Sequence, residues 1–439
     1  MKSCHCVIFT IVNLDQISHL QFHARMTHLT RTAHKPEAVS DVKITTALQS
    51  AQGNHNPYAG TFILNRFHSI SRRKALTVAA SLALSAVTLP AFATNWWTQT
   101  PSVSIGSAVV NVVNFGASGN GAMDDTAAFQ AAVNALPSSG GTVIVPTGTY
   151  MINALTSINL RSHVRLSLAS NAYVKAIPNS SDRYWIVKAF GVNNVEIVGG
   201  HFVGDRTNHQ GTAGEWGYGI LVEGSSNIYI HDLTVTNSWG DGILIRGINW
   251  DNGTVTPSNS VTLNRVTADN NRRQGLSICP ANQVYVVNSS FTHSNGASPQ
   301  GGIDIEPQTQ GKTSQVRIEN TVLSNNAGNG LEVHNNVNGV SLYKVTAENN
   351  KGYGVFTSGP TNVGISNSNL SQNYLFGVDI AGVSDYVSIT NNTITYNGDS
   401  WFYAHGVSIF TEGWDPRDIL IASTAGHVTQ SGNTISPQK

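Results

Sequence analysis

Short segments that alternate apolar and polar residues recur through the C-terminal half of the chain, each opened by a glycine. Gly302-Ile303-Asp304-Ile305-Glu306 and Gly330-Leu331-Glu332-Val333-His334 show the pattern most plainly. Strand side chains alternate between faces with period two. Ile303, Ile305, Leu331 and Val333 therefore point one way, and Asp304, Glu306, Glu332 and His334 the other. The same opening stands at Gly219, Gly242, Gly275, Gly302, Gly330, Gly354, Gly377 and Gly406, at intervals of 23, 33, 27, 28, 24, 23 and 29 residues. Recurrence every ~20–50 residues marks stacked repeats. Each period has room for a second strand, as at Val261-Thr-Leu263, Val284-Tyr-Val286, Val316-Arg-Ile318, Val340-Ser-Leu342, Val363-Gly-Ile365 and Val387-Ser-Ile389. Asparagine often closes that segment, at Asn270, Asn295, Asn325, Asn349, Asn373 and Asn397. It suits turns and can stack into an amide ladder.

The repeat predicts an all-β fold: a single-stranded parallel β-helix, one coil per repeat. It is expected to be right-handed because parallel crossovers almost always are. A solenoid grows without the size limit of a globular core, so one domain accommodates the whole repeat region. Ahead of it, residues 111–160 read as an N-terminal cap and first coil, with the β-helix proper over 161–430. Asp124 or Asp125 is placed to N-cap a short helix carrying Ala128, Phe129, Ala132, Val133 and Leu136 on one side. Pro137 and Gly140-Gly141 stop it, and the helix is the natural cover for the first coil.

Residues 1–70 carry no amphipathic pattern and read as an extension. Residues 71–93 read as a signal peptide: Arg72-Arg73-Lys74, an uncharged run to Leu89, then Ala91-Phe92-Ala93. The run is too short for a membrane span. The paired arginines match the twin-arginine type, with a Sec signal as the alternative. Its position suggests a translation start shortly before Arg72. Residues 94–110 form a polar leader. The expected mature chain keeps only Cys279, which excludes an internal disulfide in a periplasmic or secreted protein.

Charge is scarce and balanced, with 25 Lys+Arg against 25 Asp+Glu. Nothing in that balance favours nucleic acid or an anionic membrane surface.

The stretch NFGASGNGAMDDTAAFQAAVNAL followed by GGTVIVPTGTY, the later Gly199-Gly200-His201-Phe202-Val203-Gly204-Asp205-Arg206, and the coils that follow resemble the pectin-lyase-like superfamily over residues 110–430. That group includes polygalacturonases, rhamnogalacturonases, pectate lyases, alginate epimerases and phage tailspike depolymerases. The resemblance implies a right-handed β-helix acting on polysaccharide, with acidic polymers among the candidates. It does not choose a reaction, since one scaffold hosts many. Polygalacturonases carry NTD, DD, GHG and R-x-K motifs; here only Asp241, in Trp239-Gly-Asp241-Gly, stands at such a place. Alginate epimerases carry D-P-H-E; here the run is Asp304-Ile-Glu306-Pro307.

Stacking the glycine-led strands in register gives one outward column of Leu221, Leu244, Ser277, Asp304, Glu332, Phe356, Asp379 and Ser408. A second holds Glu223, Arg246, Cys279, Glu306, His334, Ser358, Ala381 and Phe410. Acids collect on the central coils. The plain reading is a solvated face. Against it, carboxylates one or two strand spacings apart repel unless protonated or paired, and such crowding suits a general acid.

Asp304, Glu306, Glu332 and His334 are therefore the candidate catalytic set. Arg246, Arg272, Arg273, Asp241, Trp239 and Asp379 are candidate substrate-binding residues. Paired carboxyls suit a glycoside hydrolase. The alternatives are a uronate lyase or epimerase with His334 as base and an arginine as neutraliser, or a non-catalytic carbohydrate binder. Asp241 with Arg246 and the loop residues Asp205, Arg206 and His209 is the fallback site. Trp216, Tyr218, Trp239, Trp250, Trp401, Phe402, Tyr403 and Trp414 offer rings for sugars or covers for coil edges. No cofactor is required, although the acids would accept Ca²⁺.

Overall fold

The computed structural model describes residues 95–249, 254–307, 311–398 and 418–436. The expected signal peptide, Trp250, the strand expected after Gly406 and the residues from Trp401 to Trp414 lie outside the described residues. Nearly every described element is a strand, and the strands stack in parallel into a right-handed β-helix. No described helix is long and apolar enough to cross a membrane.

The glycine-led strands form one ten-stranded sheet. It runs from Ile158–Asn159 through Arg183–Phe190, Trp216–Glu223, Ile243–Arg246, Leu276–Ile278, Ile303–Ile305, Leu331–His334, Val355–Ser358 and Val378–Ala381 to Ile419–Ile421. The second strands of the repeats, among them Ala281–Val287, Thr313–Glu319, Val337–Tyr343 and Thr361–Ser366, build a second ladder. A third ladder holds Gly148–Ile152, Ala172–Ala176, His201–Val203 and Ser290–Thr292. Ser226–Thr236 and Ser258–Asp269 run through both and join them.

The core is a set of stacked aliphatic rows. Ile243, Leu276, Ile303, Leu331, Val355 and Val378 form one such row, and Ile245, Ile278, Ile305 and Val333 another; all are fully buried. Each buried aliphatic side chain contributes roughly 1.5–3 kcal/mol. The inward parity predicted for Ile303, Ile305, Leu331 and Val333 therefore holds.

Three details differ from the sequence reading. Among the described residues the strand beside Val378–Ala381 is Ile419–Ile421, which sets Leu420 after Asp379 in the outward column; Ser408 and Phe410 lie outside the described residues. The amide ladder takes Asn373 and Asn397 as expected, but Asn326 and Asn350 in place of Asn325 and Asn349. Asn326 Nδ2 donates to Asn350 Oδ1 (3.0 Å), Asn350 to Asn373 (2.9 Å) and Asn373 to Asn397 (2.9 Å). Asn325 and Asn349 instead adopt left-handed turn conformations just ahead of the ladder residues, which asparagine tolerates; Asn270 and Asn295 stack where expected, Asn270 Nδ2 donating to Asn237 Oδ1 (2.7 Å) and Asn295 Nδ2 to Asn270 Oδ1 (3.4 Å). Finally, helix α1 (Thr126–Ala135) has Asp125 at its N-cap position, but that carboxylate accepts from Ser118 N and Oγ; Asp124 accepts from Thr126 N at 2.9 Å.

Candidate active site

The ten-stranded sheet aligns Leu221, Leu244, Ser277, Asp304, Glu332, Phe356 and Asp379 in one outward column. Outward does not mean solvated: Asp304 is 3 % exposed, Glu332 8 % and Asp379 5 %. The plain reading of a wetted acidic face fails on these values. Water cannot screen these carboxylates well, so their partners decide their charge.

His334 supplies the principal partner. Its Nε2 lies 3.3 Å from Asp304 Oδ1 and 3.3 Å from Glu332 Oε2. Burial disfavours its charge, but hydrogen bonds and attraction from the two carboxylates overcome that and carry it up to about 11. At neutral pH it is an imidazolium clamped between two acids, and not a base. Asn329 Nδ2 donates to Glu332 Oε1 (2.7 Å), and Gln274 Nε2 to Asp304 Oδ2 (3.0 Å). Burial raises Glu332 even so.

Glu306 follows two residues after Asp304 on the same face. Burial, then the Asp304 charge, pushes it up to about 7. This carboxyl is therefore poised to change protonation near neutrality, the condition that general acid–base chemistry favours.

The remaining predicted residues divide. Asp241 is fully buried and held by Arg273 Nη1 (3.2 Å), Ser277 Oγ (2.7 Å) and Gln274 N (3.1 Å); burial lifts it to about 6. Arg246 pairs with Glu223 at 2.9 Å, away from the central acids. Arg272 lies 3.8 Å over the Trp239 ring and donates to the Gly214 and Trp239 carbonyls. Asp379 is three strands beyond Asp304 and is lifted to about 6 by burial, against a Tyr353 hydrogen bond that lowers it. In the fallback set, Asp205 binds His209 (2.8 Å) and Tyr184 (2.6 Å), and Arg206 binds Asn270 and Asn295. Asp205 is satisfied by these bonds, whereas His209 Nε2 is buried without a hydrogen-bond partner among the described residues.

Gln274, Asn329 and Tyr353 were missed by strand parity. Each immediately precedes a coil glycine, at the bend into the strand, where simple alternation no longer applies. The positions before the glycines read Tyr218, Asp241, Gln274, Gly301, Asn329, Tyr353 and Phe376. This third column was present in the repeat and is what dresses the acids.

Asp304, Glu332 and His334 bring one ligand atom each within 4.8 Å of one another. Two carboxylates and an imidazole fall short of the roughly six to eight oxygens that Ca²⁺ takes, and a cation there would displace the His334 proton.

Residues 109–356 match the family model for rhamnogalacturonase A/epimerase, pectate lyase-like proteins, and residues 299–435 match the right-handed β-helix region. The chain belongs to the rhamnogalacturonase A/epimerase, pectate-lyase-like family. This chain is similar to the uncharacterized protein YclG of Bacillus subtilis, 29% identical over 350 residues, covering 65% of this chain and 58% of YclG. The mannuronan C5-epimerase AlgE3 of Azotobacter vinelandii is 29% identical over 252 residues, covering 56% of this chain and 12% of that protein. This chain thus spans less than two thirds of either relative. The A-module of the mannuronan C-5 epimerase AlgE6 of the same organism shares the fold, with TM-score 0.57 at 22% identity, over 75% of this chain and 94% of the module. Some of the related proteins, such as AlgE3, are polysaccharide-modifying enzymes.

Proposed function

We propose that this protein is an exported glycoside hydrolase of an extracellular or cell-wall polysaccharide, with Glu306 as general acid and Asp304 as its carboxylate partner. The feature that carries the reading is the half-buried Glu306 just past the strand that holds the buried Asp304, raised to about 7 by burial and by the Asp304 charge. A carboxyl still protonated near neutrality can give a proton to a glycosidic oxygen while its partner carboxylate acts on the other side. Residues two apart on a strand are ~6.7 Å apart, close to the separation of inverting enzymes. Asp304 and Glu332 share the His334 proton instead. With both carboxylates engaged by one imidazolium, the Asp304 and Glu306 pair is the one we assign to catalysis, at the spacing of inverting enzymes.

A second reading, uronate elimination or epimerisation, draws support from the similarity to the mannuronan C5-epimerase AlgE3. His334 is then not the base, because its two carboxylate contacts keep it protonated; Glu306 takes that role. Incubating the purified protein with acidic and neutral polysaccharides separates the two. Hydrolysis yields new reducing ends without the ultraviolet absorbance of an unsaturated uronate. Appearance of that absorbance, or a change in uronate stereochemistry without chain cleavage, overturns the hydrolase assignment.

A further inference from the structure

Asp304 and Glu332 each receive a side-chain amide, but from different places. Asn329 stands three residues before Glu332 in the same coil and donates to it at 2.7 Å. The corresponding position before Asp304 is Gly301, which has no side chain to offer. The amide that serves Asp304 comes from the preceding coil instead. Ser277 pairs in register with Asp304, so Gln274 and Gly301, each three residues earlier, are neighbours across the coils. A Cβ on Gly301 would lie 2.9 Å from Gln274 Oε1. The bare glycine is what lets the glutamine cross to the next coil.

That amide cannot turn round. Gln274 is fully buried. Its Oε1 accepts from the Gly301 backbone N–H at 2.7 Å, and a backbone N–H can only donate. Reversing the amide would set two donors against each other. Nε2 therefore faces Asp304 Oδ2, at 3.0 Å, and an NH2 group needs an acceptor. A proton on that oxygen would meet the amide donor head on. The root of the side chain is fixed as well, since Gln274 N donates to Asp241 Oδ1 at 3.1 Å. The other oxygen of Asp304 faces the His334 imidazolium at 3.3 Å. Both oxygens of Asp304 thus face donors.

We propose that Gln274 is a positioning residue: seated against Gly301, it keeps Asp304 as the proton acceptor of the Asp304–Glu306 pair, so that the proton the pair carries stays on Glu306. The step it serves rests on the hydrolase reading above. In that step Glu306 gives its proton to the glycosidic oxygen as the bond from that oxygen to the anomeric carbon breaks. Asp304 takes a proton from the water whose oxygen forms the new bond to that carbon. Exchanging the two roles would need a proton on Asp304, where the locked amide opposes it and would itself lose its acceptor.

Two variants of the full chain break the lock by different means. Gln274→Met keeps an unbranched side chain and removes the donor. Gly301→Ala keeps the glutamine and pushes its amide aside; the atom it meets is the far end of a flexible side chain, so the fold should hold, and thermal melting checks that. Asp304 then takes a proton more readily, and Glu306 feels less of its charge. The other charged groups around the pair, Asp241, Arg273, Glu332 and His334, are the same in every chain. Carbon NMR of protein labelled at the glutamate carboxyls follows Glu306 without substrate, its signal assigned by its loss in Glu306→Gln. We expect the Glu306 midpoint to fall by at least about half a pH unit in both variants. An unmoved midpoint in either folded variant overturns the proposal; if Gln274→Met does not fold, Gly301→Ala decides. Turnover is scored separately. Where the wild-type protein hydrolyses a polysaccharide, the kcat/KM profile against pH should narrow from both sides in the variants, with KM little changed. A profile that drops without narrowing makes Gln274 merely structural and also overturns the proposal. A lowered midpoint without hydrolysis by the wild type retains the lock and removes the hydrolase reading, whereas hydrolysis with an unmoved midpoint does the reverse.

Discussion

The Cβ that Gly330 lacks would lie 3.0 Å from Asn350 Nδ2 and 2.5 Å from the Gly354 carbonyl oxygen. Gly302 stands in the same relation to Asn326, Gly354 to Asn373 and Gly377 to Asn397. The glycine repeat and the asparagine ladder are two halves of one packing device: the glycine leaves space at the bend, and the amide of the ladder fills it. Gly330→Ala should therefore destabilise by roughly 1–3 kcal/mol, as overpacking does. Gly364, whose added Cβ would meet nothing within 4 Å, should accept alanine within about 0.5 kcal/mol. Urea denaturation of the two variants checks the contrast.

His334→Gln should destabilise by roughly 3 kcal/mol at neutral pH, since it leaves Asp304 and Glu332 buried without their shared cation. Because His334 is raised to about 11, its contribution is fully present below its unfolded pKa of about 6.5. It is lost as pH rises towards 11. The stability gap between wild type and variant, followed by thermal melting, should close in alkali.

Stability should also fall as pH rises from about 4 to about 7. Asp241, Asp379 and Glu306 are raised to about 6, 6 and 7, and Glu332 is raised by burial. A carboxyl raised on folding stabilises while protonated, and that share is lost as pH passes through the folded value. Glu306→Gln should flatten the upper part of this slope in melting curves recorded across the range. A steeper slope in the variant would contradict the elevation.

If turnover depends on protonated Glu306, kcat/KM should decline above about pH 7, following its folded pKa. Glu306→Gln and Asp304→Asn should each reduce kcat by orders of magnitude, with the double variant little worse, because groups acting as a unit are not additive. Measured against the substrate found by the polysaccharide screen, additive losses would mean that the two carboxyls act independently.

Period-two alternation and the recurring glycine were enough to obtain the solenoid, its register over the central coils and the adjacency of Asp304 to Glu332. These follow from local rules: a strand has two faces, and a repeat stacks like on like. The same rules could not say that outward acids would be buried, because burial depends on what the bends contribute. Gln274 and Asn329 reach the carboxylates from the position before each glycine, where strand alternation breaks down. Nor could they separate the charged groups by task. Arg246, Arg272 and Arg273 look alike in sequence, yet Arg246 is taken up by Glu223 and Arg272 by Trp239, while Arg273 bonds Asp241 close enough to the acids to attract Glu306. His334 read as a base until its distances to two carboxylates made it a cation. Which residues carry charge and stack was written in the chain; protonation and partnership were decided only by the three-dimensional packing, because both depend on distances of a few ångströms between residues on different coils.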